Sequence, residues 1–321
     1  MQQLTYGDIK AAGDRIAGRV RPVAVAPLRT GGDGRGGEVW AALELLQHTG
    51  SFKARGAQNF LQAHREAGTL PDAGVTIASG GNAGLACAWA AQQQGVRATV
   101  FLPENAPAVK VARLRGYGAD VRLVGAEYAD ALAACEQFAA SAGALASHAY
   151  DHPLIAAGAG TLLDEILHQL PAVDTVVVSV GGGGLLAGVA TAAAEHGVRT
   201  VAVEPEGSRA LHAALAAGRP VDVPVHSVAA DALGARRASA AAVQAARQSG
   251  ARSILVPDTE IVRARQLLWS EHRLAVEHAA STALAALTGG AYRPADGERV
   301  CVVLCGANTD PGTLDRAAPS N

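Results

Sequence analysis

Lys53 lies in the run Gln47-His48-Thr49-Gly50-Ser51-Phe52-Lys53-Ala54-Arg55-Gly56-Ala57. Thr49-Gly50-Ser51 reads as a turn and a helix N-cap, which puts Lys53 in a first helical turn. A cation there faces the positive end of the helix dipole. Partial burial beside Phe52 adds to that effect and favours the neutral amine, the form that attacks a carbonyl carbon. A second run, Gly181-Gly182-Gly183-Gly184, precedes Leu185 and offers bare backbone N–H groups at a helix start, an arrangement suited to phosphate. It also reads as a ligand-free turn. Gly182-x-Gly184-x-x-Ala187 loosely matches a dinucleotide fingerprint, although the loop falls in mid-chain and Glu204, about twenty residues on, precedes Pro205. In Ser79-Gly80-Gly81-Asn82, a hydroxyl and backbone N–H groups could hold a carboxylate, or Asn82 could simply cap a helix. Cys305 precedes the polar turn Gly306-Ala307-Asn308. Taken alone it reads as a small buried hydrophobe.

These loops need elements to position them. Short apolar runs predict strands at Val75–Ala78, Thr99–Leu102, Val121–Val124, Thr175–Val180, Val198–Glu204, Ser253–Val256 and Val300–Cys305. Between them, Ala-rich stretches predict helices near 54–67, 83–94, 107–116, 127–141, 154–169, 185–195, 208–217, 238–248, 259–272 and 279–289. That alternation implies an α/β chain with mostly parallel twisted sheets and helices on both faces. Ligands of such sheets sit beyond the carboxyl ends of strands. Ser79–Asn82, Gly181–Gly184 and Gly306–Asn308 all follow predicted strands. The stretch 31–37 reads as a flexible surface turn, and the tail from Pro311 reads as frayed.

The 321 residues are 49% hydrophobic and 17% charged, with a formal net charge of −2. A large core follows, and neither nucleic acid nor an anionic membrane surface is an expected partner. Val176–Ala194 is uncharged and nearly long enough to span a membrane, but the glycine run splits it into strand, turn and helix. The N-terminal residues 1–19 show no apolar leader segment. Cys87, Cys135, Cys301 and Cys305 lack metal-ligand spacing and fit a reducing, cytoplasmic setting. The histidines show no ligand spacing either. Arg236-Arg237 reads as a solvated pair that could instead face a substrate.

Together these segments resemble the fold-type II pyridoxal-phosphate enzymes (tryptophan synthase β-like), most closely the threonine/serine dehydratases or ammonia-lyases, with serine racemase as a near relative. The resemblance runs from Pro27-Leu28 through Gln47–Ala57, Ser79–Asn82, Leu102-Pro103-Glu104 with Lys110, and Gly158–Glu165. It continues through Gly181–Gly188, Val203–Gly207, Asp231, Glu277 and Cys305–Asn308. It implies pyridoxal 5′-phosphate as cofactor, held by Lys53 as a Schiff base. Phe52 would pack beside the ring, Asn82 would bond its 3-oxygen, and Cys305 would face its nitrogen. Gly181, Gly182, Gly183, Gly184 and Leu185 would bind the phosphate. Ser79, Gly80 and Asn82 would grip the carboxylate of a small amino-acid substrate. The implied reaction is α,β-elimination of water from a β-hydroxy amino acid, giving a 2-oxo acid and ammonia.

The resemblance further implies a homodimer and two lobes: residues 1–71 with 145–321 as the large cofactor-binding domain, and 72–144 as a smaller inserted one. Some positions depart from relatives. Racemisation needs a second acid/base where Gly80 stands, and Ala83 replaces a common histidine. Glu204 matches one ligand of a monovalent or divalent cation site, but Ala210 stands at the second acidic position. Alternatives are dehydration of an acidic substrate such as 3-hydroxyaspartate with Arg236 pairing its extra carboxylate, β-replacement, serine racemisation, an NAD-type oxidoreductase, and a non-catalytic binding protein.

Overall fold

The computed structural model describes residues 3–30 and 37–314. The stretch 31–36 and the tail beyond 314 therefore lie outside the described residues. In chain order the elements begin with α1 (Tyr6–Ile16), β1 (Val25–Pro27), β2 (Glu38–Ala42), α2 (Lys53–Glu66) and β3 (Val75–Ala78). Next come α3 (Asn82–Gln93), β4 (Ala98–Leu102), α4 (Ala108–Gly116), β5 (Asp120–Leu123), α5 (Tyr128–Ala142) and β6 (Leu145–Ala146). Then follow α6 (Pro153–Gln169), β7 (Thr175–Ser179), α7 (Gly184–Glu195), β8 (Arg199–Pro205), α8 (Ala210–Ala217) and α9 (Ala230–Leu233). The last are α10 (Ala240–Gln248), β9 (Arg252–Val256), α11 (Asp258–His272), α12 (His278–Thr288) and β10 (Arg299–Val303).

The strands form two sheets, ordered β1-β2-β10-β7-β8-β9 and β5-β4-β3-β6. All neighbours are parallel except the β1–β2 pair. Strands buried on both faces read as unbroken apolar runs, as Val176–Val178 and Val300–Val303 do. The uncharged stretch 176–194 becomes β7, a glycine turn and α7, and no helix among the described residues is long and apolar enough to cross a membrane.

Every predicted strand and helix is present within a few residues. Leu304 still donates its N–H to Ala42 O after β10 ends, so the apolar run outlasts the strand ladder. The tail differs from expectation at its start: Pro311–Thr313 is a short 3-10 turn capped by Asp310, and Arg265 donates to Thr313 O and Oγ1.

α6 is the spacer of the larger layer. Pro153 opens it and the His152 ring caps it. α2 and α7 both approach it backbone to backbone. A Cβ on Gly158 would lie 2.7 Å from Gly56 Cα, and one on Gly188 would lie 2.2 Å from Ala156 O and 2.5 Å from Gly160 N. Arg55 of α2 completes the joint. Its buried guanidinium donates to both carboxylate oxygens of Glu44 (2.9 and 2.7 Å) and of Glu165 (2.7 and 2.8 Å). Two partners offset the desolvation of a fully buried charge.

Gly188→Val forces side-chain atoms into backbone that cannot swing aside. We expect a loss of about 2 kcal/mol or more in urea unfolding. Gly116→Ala, at an open helical position, should leave stability equal or higher.

Candidate active site

Lys53 opens α2, but Ser51 is not its cap. Ser51 instead forms an antiparallel bridge with Gly306, and Phe52 donates its N–H to Cys305 O at 3.1 Å. Phe52 is the N-cap residue, with helical backbone and no capping side chain. The sequence signal for a cap was therefore overridden by a tertiary contact, which ties Lys53 to the turn after β10. The Lys53 Nζ donates to Ala149 O at 2.6 Å and lies 4.9 Å from the Phe52 ring centroid. Lys53 as a residue is half-buried, yet its amine is enclosed by protein. Burial lowers its pKa to about 8, against a smaller upward pull from Cys305 and Glu277. The Cys305 thiol is buried and pushed far above its usual range by burial and by the charge of Glu277, so it stays protonated.

Asn82 is the first residue of α3, after β3, and its side chain does not cap the helix. Its Nδ2 donates to Glu277 Oε1 and Oε2 at 2.8 and 3.1 Å, and its Oδ1 accepts from Asn308 Nδ2 at 2.6 Å. These contacts join a loop of the smaller sheet to two segments of the larger. Glu277 is buried, and burial raises its carboxyl to about 7 despite the Asn82 bond. A Cβ on Gly306 would lie 2.5 Å from Glu277 Oε1, so the carboxylate fills space that only glycine leaves. In the sequence Glu277 stands only among the residues that carry the resemblance, with no role attached.

Gly181–Gly184 join β7 to α7. Gly183 has φ +93°, a conformation that favours glycine, and no side chain caps the helix. A Cβ on Gly182 would fall 2.3 Å from Tyr150 Cγ, and one on Gly181 would fall 2.9 Å from Leu233 Cα. Tyr150, also missed in the sequence, thus covers the run and donates its hydroxyl to Arg237 O at 3.3 Å. It adjoins Ala149, the carbonyl partner of Lys53, so one turn links the amine to the glycine run. His148 Nδ1 fixes that turn by accepting the Tyr150 and Asp151 N–H groups.

Ser79 Oγ accepts the Gly81 N–H at 3.4 Å, within the loop that precedes Asn82. A Cβ on Gly80 would lie 2.8 Å from Leu102 Cδ2 and 3.7 Å from Lys110 Cδ. Glu204 makes none of these contacts. Its oxygens accept the Leu211 and His212 N–H groups at 2.8 Å each, capping α8 from a buried position that raises its carboxyl to about 7. Among the described residues, no group of three or more His, Cys, Asp or Glu could hold a metal ion. Arg236 and Arg237 are exposed, and Arg237 pairs with Asp222 at 2.7 Å.

A neutral-capable amine, an uncapped glycine-rich helix start and a loop amide held by an acid can together serve carbonyl chemistry on a phosphate-bearing molecule. The family model described as pyridoxal-phosphate dependent enzyme matches residues 16–306. L-threonine ammonia-lyase of Geobacter sulfurreducens is 38% identical, over 97% of this chain and 77% of that protein. Phenylserine dehydratase of Ralstonia pickettii is also 38% identical, over 85% of this chain and 84% of its own length. The structure of maize serine racemase superposes with a TM-score of 0.89 at 28% identity, covering 98% of this chain and 96% of that one. The chain belongs to the pyridoxal-phosphate dependent enzymes.

Proposed function

We propose that this enzyme is an ammonia-lyase that eliminates water from a β-hydroxy-α-amino acid, L-threonine or L-serine, and releases a 2-oxo acid and ammonia. The observation that carries this reading is the enclosed Lys53 amine, which donates to Ala149 O and is lowered to about 8 by burial, within electrostatic reach of Cys305 and Glu277. The residues fit pyridoxal phosphate on two counts. Tyr150, Leu233 and Ala242 close on the four glycines so tightly that no Cβ fits, which leaves bare backbone at a helix start whose N–H groups lack a capping side chain. The amine, in turn, has a substantial neutral fraction near pH 8.

Pyridoxal phosphate, when bound, supplies an aldehyde that condenses with amines and a ring that spreads the electron pair left when Cα loses its proton. Lys53 Nζ would hold that aldehyde and, when free, take the Cα proton. Gly181–Gly184 and Leu185 would bind the phosphate through N–H groups, with Phe52 packed beside the ring. Asn82 would bond the ring oxygen, its amide orientation set by Glu277 and Asn308. Cys305 would meet the ring nitrogen as a neutral thiol, a weaker partner than a carboxylate, which suits prompt elimination. The Ser79-Gly80-Gly81-Asn82 loop would hold the substrate carboxylate.

We further propose two lobes, 72–144 inserted between 1–71 and 145–321. The two separate sheets support an inserted lobe, while β6 (Leu145–Ala146), the edge strand of the smaller sheet, and Phe60 and Leu61 of α2, which enter its core, join that lobe from outside these bounds. A cytoplasmic location is supported by four free, buried cysteines. The homodimer rests on family resemblance. Glu204, with both oxygens on a helix start, is not assigned to a cation.

Lys53→Ala should take up no stable visible absorbance from pyridoxal phosphate, and its 2-oxobutyrate formation from L-threonine should fall about 10³-fold or more. A parent protein that stays colourless with added cofactor would overturn the reading. With Lys53 near 8, about one amine in ten is neutral at pH 7 and about nine in ten at pH 9. The initial rate of cofactor uptake by the apoprotein, followed by absorbance, should therefore rise about tenfold across that interval. Because Gly80 offers no second acid or base, chiral chromatography should find negligible D-serine formed from L-serine.

A further inference from the structure

Lys110 and Asp231 form an ion pair that the reaction as derived does not use, with Lys110 Nζ 2.6 Å from Asp231 Oδ1. Lys110 belongs to α4, on the smaller sheet. Its Cδ lies 3.7 Å from where a Cβ on Gly80 would stand, so the stem runs beside the Ser79–Asn82 loop and carries the ammonium to Asp231. Asp231 belongs to α9, whose Leu233 and Ala232 pack against Gly181. The pair thus connects the carboxylate-gripping loop to the wall of the glycine run.

Its role is not structural support. The two side chains are 34% and 71% exposed, and exposed pairs add little stability. Its charge nevertheless reaches the site interior, because Asp231 helps to push the buried Glu277 carboxyl upward. Arg237 is already held by Asp222, and Arg113 donates to Asn308.

A zwitterionic substrate with a neutral side chain brings one carboxylate, which the loop would hold. A substrate with a second carboxylate brings an extra negative charge toward an ammonium that is already neutralised, with Asp231 and Glu277 nearby. We propose that Asp231, by occupying Lys110, acts as a charge filter that makes the enzyme select neutral β-hydroxy amino acids over those with an anionic side chain. This inference rests on the dehydratase reading for its substrates, and the charge balance itself can be read without turnover.

The test uses holoenzyme of the parent, Asp231→Asn and Lys110→Gln. Two ratios are measured: kcat/KM for L-threo-3-hydroxyaspartate over L-threonine, from oxaloacetate and 2-oxobutyrate release, and calorimetric affinity for malonate over acetate. Asp231→Asn frees the ammonium and should raise both ratios by about two- to fivefold. Lys110→Gln leaves an unpaired carboxylate and should lower both. Smaller shifts, or shifts of the same sign in the two variants, overturn the charge filter. If the parent turns over neither substrate but the malonate ratio moves in opposite directions as expected, the filter stands and the dehydratase reading falls.

Discussion

Backbone contact between α6 and its two neighbours sets where the chemistry sits. α2 begins with Lys53 and α7 begins at the end of the glycine run, so the distance between amine and cradle depends on how closely both helices approach α6. Gly56 against Gly158 and Gly160 against Gly188 remove the side chains that would hold these helices apart. The Arg55 pairs with Glu44 and Glu165 then fix the level at which α2 lies along the spacer. Because interiors are close-packed, a displacement at either joint would be carried to the helix starts instead of being absorbed locally.

Two buried cations two residues apart are treated oppositely. Arg55 receives two carboxylates at hydrogen-bond distance, which keep it charged and hold its pKa above the ordinary value. Lys53 receives a carbonyl, and the acids near it act only through space. A carbonyl brings no full negative charge to offset burial, so desolvation outweighs the other influences and lowers the pKa. One guanidinium therefore serves the frame, while the neighbouring amine remains available for reaction.

Much of this was legible in the sequence, because apolar strand runs and Ala-rich helices carry strong periodic signals. The elements left unread have local explanations. β2 lies in Glu38-Val39-Trp40-Ala41-Ala42, followed by Leu-rich sequence that hides its strand character, and becomes a strand by pairing with β10 some 260 positions on, as in Arg299 opposite Glu38. β6 is two residues long and α9 only four, too short for any periodicity. α1 did carry a signal in its Thr5–Asp8 capping box. Within the site, the glycine runs and Lys53 stand out by composition. The placements of Glu277, Asn308 and Tyr150 do not, because each depends on which distant backbone meets it. The same reason defeated Ser51, whose local preference for a cap gives way to the bridge with Gly306.

The strand order also bears on how the protein is made. β10, close to the end of the described chain, lies between β2 and β7 and separates the first strands of the larger sheet from the rest. Until residues 299–303 emerge from the ribosome, β2 and β7 have no common neighbour. The Ser51–Gly306 bridge and the Phe52–Cys305 bond beside Lys53 cannot form before then. Elongation at about 5–20 residues per second leaves Lys53 waiting on the order of ten seconds or longer for these partners. During that interval the nascent chain holds unpaired apolar edges, and Lys53 lacks the distant turn that fixes the start of its helix.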